Sequence, residues 1–129
     1  RCGLQSIFHP GYQDAHRHAS TLLGDHAIVI KGEGGEIEMN PDNISHLYGT
    51  TNGMPWDEEW PALSERRHVK PAQLDSQQLL AVWTGAHEEA YGELAVIATM
   101  ALALRGLGME REAAFAQARA YWQARHSSI

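Results

Sequence analysis

The chain has 129 residues, enough for one domain with a real core. Its 16 acidic and 10 basic residues give a formal charge of −6, which argues against a nucleic-acid-binding surface spread over the whole chain. The lone cysteine, Cys2, excludes an internal disulfide and fits a reducing cytosol; with no signal-peptide, lipidation or membrane-span pattern visible, a cytoplasmic protein without membrane contact is expected. Eight histidines would add positive charge below about pH 6.5. The chain begins with arginine and in mid-pattern, Leu4, Ile7 and Phe8 already being apolar. A C-terminal piece of a longer protein is the expectation.

In chain order, Pro10 to Leu23 reads as a helix with Tyr12, Ala15, Ala19, Leu22 and Leu23 as its apolar face. Pro10 suits the first turn and Gly24 the position after the last. Ala27 to Ile30 is a short apolar run of the kind buried on both faces in a parallel sheet. Ile44 to Thr51 is a second candidate strand. Asn52 to Pro61 reads as a loop, with two prolines, an Asn-Gly turn signal and two tryptophans that look exposed. Leu63 to Val69 is a third candidate strand, closed by Pro71. Three helices complete the pattern. The first has Asp75 as N-cap with Gln78 three residues on, an apolar face of Leu79, Leu80, Val82 and Trp83, and Gly85 at its end. The second, Glu93 to Leu107, is apolar almost throughout and predicts burial on most sides. The last, Glu110 to Arg125, is amphipathic through Ala114, Phe115, Ala118, Tyr121 and Trp122.

The stretch from Ile28 to Asp42 carries the most chemistry. A β-branched run ends in a bend holding Gly32, Gly34 and Gly35 with Glu33, Glu36 and Glu38. In open α/β sheets, ligands lie beyond the carboxyl ends of strands, and glycines permit close backbone approach. Adjacent carboxylates repel unless a cation or solvent relieves them. The glutamates either ligate magnesium, which takes a few carboxylates plus phosphate oxygens, or form a solvated turn. Lys31 either meets a phosphate or pairs with a neighbouring glutamate. Arg66, Arg67 and Lys70 belong to the one basic cluster; on a strand, Arg66, His68 and Lys70 share a face. That cluster either meets phosphates or pairs with Asp57, Glu58 and Glu59, and the second is preferred. No nucleophilic triad, Walker loop or zinc spacing is present, so no catalytic residue is assigned.

The order of elements resembles the C-terminal part of anthranilate phosphoribosyltransferase and its relatives in glycosyl transferase family three. Ser6-Ile7-Phe8-His9-Pro10 is similar to the family's lead into a helix, the Ile28–Glu38 stretch to its strand and glycine loop, and Leu79 to Leu107 to its closing helices. In those enzymes an Asp-Glu pair in the loop holds the magnesium of phosphoribosyl pyrophosphate. Here the glutamate falls on Glu38 and the aspartate on Ile37, which cannot ligate a metal; Lys31 stands where the family has histidine. The Gly-Glu-Gly-Gly-Glu-Ile-Glu form is closer to a paralogous group whose members bind nucleic acid.

The resemblance implies an α/β fold, with residues 1–129 the C-terminal portion of the nucleoside phosphorylase/phosphoribosyltransferase α/β domain, short strands packed by helices. The helical N-terminal domain and the first part of the sheet would lie upstream, in the remainder of the chain, and the protein would be a homodimer. It further implies binding of nucleic acid or another phosphate-rich ligand through Lys31, Gly32, Gly34, Gly35, Arg66, Arg67 and Lys70. The alternative is a phosphoribosyltransferase using phosphoribosyl pyrophosphate, with Glu36 and Glu38 on magnesium.

Overall fold

The computed structural model describes residues 2–32, 36, 38–65, 67–69, 73 and 75–125. Glu33, Gly34, Gly35, Ile37, Arg66 and Lys70, all named above, lie outside the described residues. Four strands form one sheet in the order β1 (Gly3–Ile7), β2 (Ala27–Lys31), β3 (Ser45–Thr51) and β4 (Met54–Trp60). β1 and β2 are parallel, and the other neighbours are antiparallel. The protein is therefore mixed α/β.

Between β1 and β2 the chain makes a 3-10 turn, Pro10–Tyr12, and helix α1, Gln13–Leu23. His9 caps the turn through its ring, which accepts from the Gly11 N–H at 3.0 Å. Gly24 ends α1 at φ 67°, the left-handed conformation that glycine adopts without Cβ strain. Helices α2 (Ser76–Trp83), α3 (Ala90–Gly106) and α4 (Arg111–Ala124) follow the sheet. As its sequence predicts, Asp75 caps α2, accepting from the Gln77 and Gln78 N–H groups.

Residues alternate between the two faces of a strand. Ile28, Ile30, Leu47 and Trp60 join Ile97, Ala98, Ala101 and Leu102 of α3 and Ala114, Phe115, Ala118 and Trp122 of α4 in the core. Alanines dominate where α3 and α4 meet, which lets the two backbones approach. The opposite face carries α1. Polar contacts fix it there: the His16 ring bonds Gln5 Oε1, and Arg17 pairs with Asp57 and lies over the Tyr48 ring. Ser20 is the buried residue of α1.

Four expectations change. Asn52 to Pro61 is not a loop: Asn52 and Gly53, both at positive φ, form a hairpin turn into β4. β4 is an edge strand, so it tolerates Pro55 and three consecutive acids. Trp60 is fully buried and Trp56 partly so. Trp56 lies over Gly49, its cross-strand partner, where a Cβ would have no room. Residues 63–65 and 67–69, the described part of the third candidate strand, form no strand; Arg66 and Lys70, expected to share a strand face with His68, lie outside the described residues. Among the described residues, Asp57, Glu58 and Glu59 pair with Arg17, Arg105 and His46. Finally, the apolar stripe of α1 faces outward, and Leu79, Leu80 and Trp83 of α2 and Tyr121 of α4 are exposed as well. α2 is held instead by Val82 and by Arg125, whose guanidinium donates to the Val82 and Trp83 carbonyls and stacks on Trp122.

Candidate phosphate-binding cleft

Gly32 starts the site. Its N–H donates to the Ile7 carbonyl at 2.9 Å, which extends the β1–β2 ladder by one bond. The chain then folds back so tightly that the Ser6 hydroxyl donates to the Glu36 carbonyl at 2.8 Å. A Cβ on Gly32 would come well inside 3.0 Å of both the Glu36 carbonyl oxygen and Ser6 Oγ. The glycine is required by close backbone approach; its φ is not positive.

Beyond the bend, two anchors hold the returning chain. Met39 is buried in the core, and its N–H donates to Thr99 Oγ1 on α3 at 3.0 Å. Asp42 accepts from the His68 N–H at 2.6 Å and from its Nδ1 at 2.8 Å. Burial pushes the Asp42 carboxyl up; the His68 N–H, the His68 ring and the Ser64 hydroxyl outweigh it, and the carboxyl ends below its usual 3.8. The His68 ring packs on Tyr91 with centroids 5.3 Å apart.

These anchors leave a cleft of about 220 Å3 across the end of the sheet. Ile7 of β1 and Ile30 and Lys31 of β2 enter at their strands' carboxyl ends. Pro10 and Gln13, at the start of α1, form the wall on one side of the sheet, and Tyr91 of α3 is on the other. Glu36, Glu38, Asn40 and Asn43 come from the returning chain, and His46 and Tyr48 from β3. The cleft thus joins a lysine, two carboxylates, side-chain amides and two tyrosines.

Of the residues singled out by sequence, Lys31, Glu36 and Glu38 line this one cleft; Gly32 is not among the lining residues, but its close approach to Ser6 and the Glu36 carbonyl brings the returning chain beside β1. Arg67 is exposed and is not among the lining residues. Gly34, Gly35, Arg66 and Lys70 lie outside the described residues. Among the described residues no group of three or more His, Cys, Asp or Glu side chains is arranged to hold a metal ion. Two carboxylates in one cleft still fit magnesium, which takes one or two from protein and the rest from phosphate and water. Sequence reasoning missed Gln13, Asn40, Asn43, His46, Tyr48 and Tyr91. The turn-forming run Asn40-Pro41-Asp42-Asn43 was the available signal for two of them. His46 and Tyr48 sit on a strand whose register the sequence does not fix.

No protein-family model matches the chain, and no curated protein matches it. No helix among the described residues is long and apolar enough to cross a membrane.

Proposed function

We propose that the chain supplies the strand-end wall of a ligand cleft in an anthranilate phosphoribosyltransferase-like protein of glycosyl transferase family three, and that the cleft holds nucleic acid or another phosphate-rich ligand. The observation that carries this reading is the meeting of Lys31, Glu36 and Glu38 in one cleft at the carboxyl ends of a parallel strand pair. Lys31 supplies a cation, and among the described residues it has no carboxylate partner. Its volume lies below the roughly 300–1,000 Å3 of sites that enclose a whole drug-sized ligand. The cleft therefore takes one phosphate-bearing unit while the rest of the ligand stays outside it.

A second reading is a working magnesium-dependent phosphoribosyltransferase. What favours it is the charge of the lining: two carboxylates share the cleft with one lysine, so a bare phosphate meets repulsion that a bridging divalent cation would relieve. Glu36 and Glu38 would hold that ion. It would stabilise charge on the leaving pyrophosphate, and Lys31 would add a fixed positive charge.

Calorimetry on the full chain separates the readings. One titrant is phosphoribosyl pyrophosphate, with and without magnesium; the other is a single-stranded oligonucleotide at low and moderate salt. The binding reading expects oligonucleotide affinity that falls steeply with salt as phosphate contacts release counterions. The enzyme reading expects magnesium-dependent heat with phosphoribosyl pyrophosphate, lost in Glu36→Gln/Glu38→Gln. Silence with both titrants rejects both.

A further inference from the structure

The pleat sorts strand residues by face. Ile28 and Ile30 of β2, Leu47 of β3 and Trp60 of β4 point into the core. Lys31, His46 and Glu59 therefore point to the other face, the one that carries α1. They are also level with one another. β2 and β3 pair Ile30 with Leu47, so one step further Lys31 comes opposite His46. β3 and β4 pair His46 with Glu59. A cation, an imidazole and a carboxylate thus stand in one row across the end of the sheet, and neighbours in such a row have Cβ atoms about 4.5–5.5 Å apart. His46 Nδ1 lies 3.4 Å from Glu59 Oε2. With Nδ1 turned to Glu59, Nε2 is the ring nitrogen left for the cleft, which Lys31 and His46 both line.

We infer that Lys31 and His46 form a two-point seat for one phosphodiester, with Glu59 as the positioning residue that holds the ring and favours its charged form. The inference rests on the phosphate-rich ligand proposed above and names its class: a singly charged phosphodiester, as in a nucleic-acid backbone. Lys31 contributes a fixed charge. His46 contributes a charge that the ligand itself induces, because a bound anion favours the protonated ring.

Hydrogen bonding and charge both ask for that proton. A neutral ring that donates from Nδ1 to Glu59 presents a lone pair at Nε2, which repels a phosphate oxygen; the protonated ring presents a second donor instead. Lys31 alone also faces Glu36 and Glu38 in the cleft. Protonating His46 lowers the cleft's negative charge by one unit, the relief that a divalent cation supplies in the enzyme reading. The other charged groups on this face are engaged one row away: Asp57 of β4 pairs with Arg17 of α1, whose guanidinium lies over the Tyr48 ring. Gln13 of α1, which lines the cleft above the row, is neutral.

Fluorescence anisotropy of labelled oligothymidylate with the full chain, over a range of salt at about pH 5.5 and about pH 8, tests this. The two values bracket the ordinary imidazole range near pH 6.5, and neither thymine nor a phosphodiester titrates between them. Affinity should be higher at the lower pH, and log affinity should fall more steeply with log salt there. His46→Gln keeps a polar side chain without the charge. It should flatten that slope by about 0.7 at the lower pH, the contribution of one phosphate contact on a single strand, and leave it unchanged at the higher. Lys31→Gln should flatten it at both. His87→Gln, at an exposed residue beyond α2, controls for the charge that every histidine gains in acid and should behave as the parent. Oligothymidylate that binds parent and His46→Gln with equal slopes at the lower pH overturns the inference and leaves the proposed function standing. So does a loss that His87→Gln reproduces. No binding at either pH overturns both.

Discussion

Gly32→Ala is the sharpest probe of how β2 hands over to the cleft. The added methyl meets a backbone carbonyl, that of Glu36, as well as the Ser6 hydroxyl. A hydroxyl can rotate away; a carbonyl moves only if the chain moves. The bond from Ser6 to the Glu36 carbonyl is therefore lost, and the extra ladder bond from Gly32 to Ile7 is strained. Overpacking of this kind costs about 1–3 kcal/mol. With a urea dependence of about 2 kcal/mol per molar, the midpoint falls by about 0.5–1.5 M. Ser6→Ala in the same chain does not restore it, because the carbonyl remains. If the cleft holds phosphate, affinity drops too, since Lys31 and Glu36 flank the strained segment. An alanine variant within about 0.3 kcal/mol of the parent would show that the chain does not close over Ser6 as described.

Three further outcomes are expected. The Asp42 carboxyl is lowered in the folded protein, so its contribution is fully present above its unfolded value of 3.8 and is lost as pH falls below that value toward the folded one; urea midpoints of parent and Asp42→Asn should differ at neutral pH and converge in acid, and a pH-independent gap would contradict the His68 pairing. Arg125→Ala removes two hydrogen bonds to α2 carbonyls and the stack on Trp122; amide protection over residues 79–84 should fall at least tenfold, since even one hydrogen bond to a charged group is worth roughly 1.5 kcal/mol, with that of α3 unchanged. Ala98→Glu places a carboxylate at a fully buried position where α3 meets the rest of the core; circular dichroism should report loss of the cooperative transition, because an unpaired buried charge exceeds typical domain stability.

The sequence made some features legible because they rest on local chemistry. Gly24 ends α1, Asp75 begins α2, and the apolar run of β2 is the central buried strand; each follows from residues in direct chain contact. The glycine bend was legible as a close-approach site for the same reason. β3 and β4 were harder. Pro55 and the acids beside it have low strand propensity, and only the edge position, a property of the assembled sheet, makes them acceptable. The first strand carried too short a pattern to read. Leu63 to Val69 had strand-like composition, yet the Pro41 carbonyl accepts from the Leu63 and Ser64 N–H groups and Asp42 takes the His68 N–H. Tertiary partners satisfied those groups outside any ladder.

Helix α1 shows why an apolar stripe does not always find the core. Against the sheet it places Gln13, His16, Arg17 and Ser20, and its leucines face out. Burying Tyr12, Leu22 and Leu23 would require turning the helix about its axis, which would break the bonds to Gln5 and Asp57 at once. Those two bonds reach opposite edges of the sheet, so together they fix both the rotation and the position of the helix. Pro10 and Gln13 then come to rest over the carboxyl ends of β1 and β2, where the cleft is. The polar face that a hydrophobic pattern assigns to solvent is what registers the helix with the cleft, and the outward stripe is its consequence.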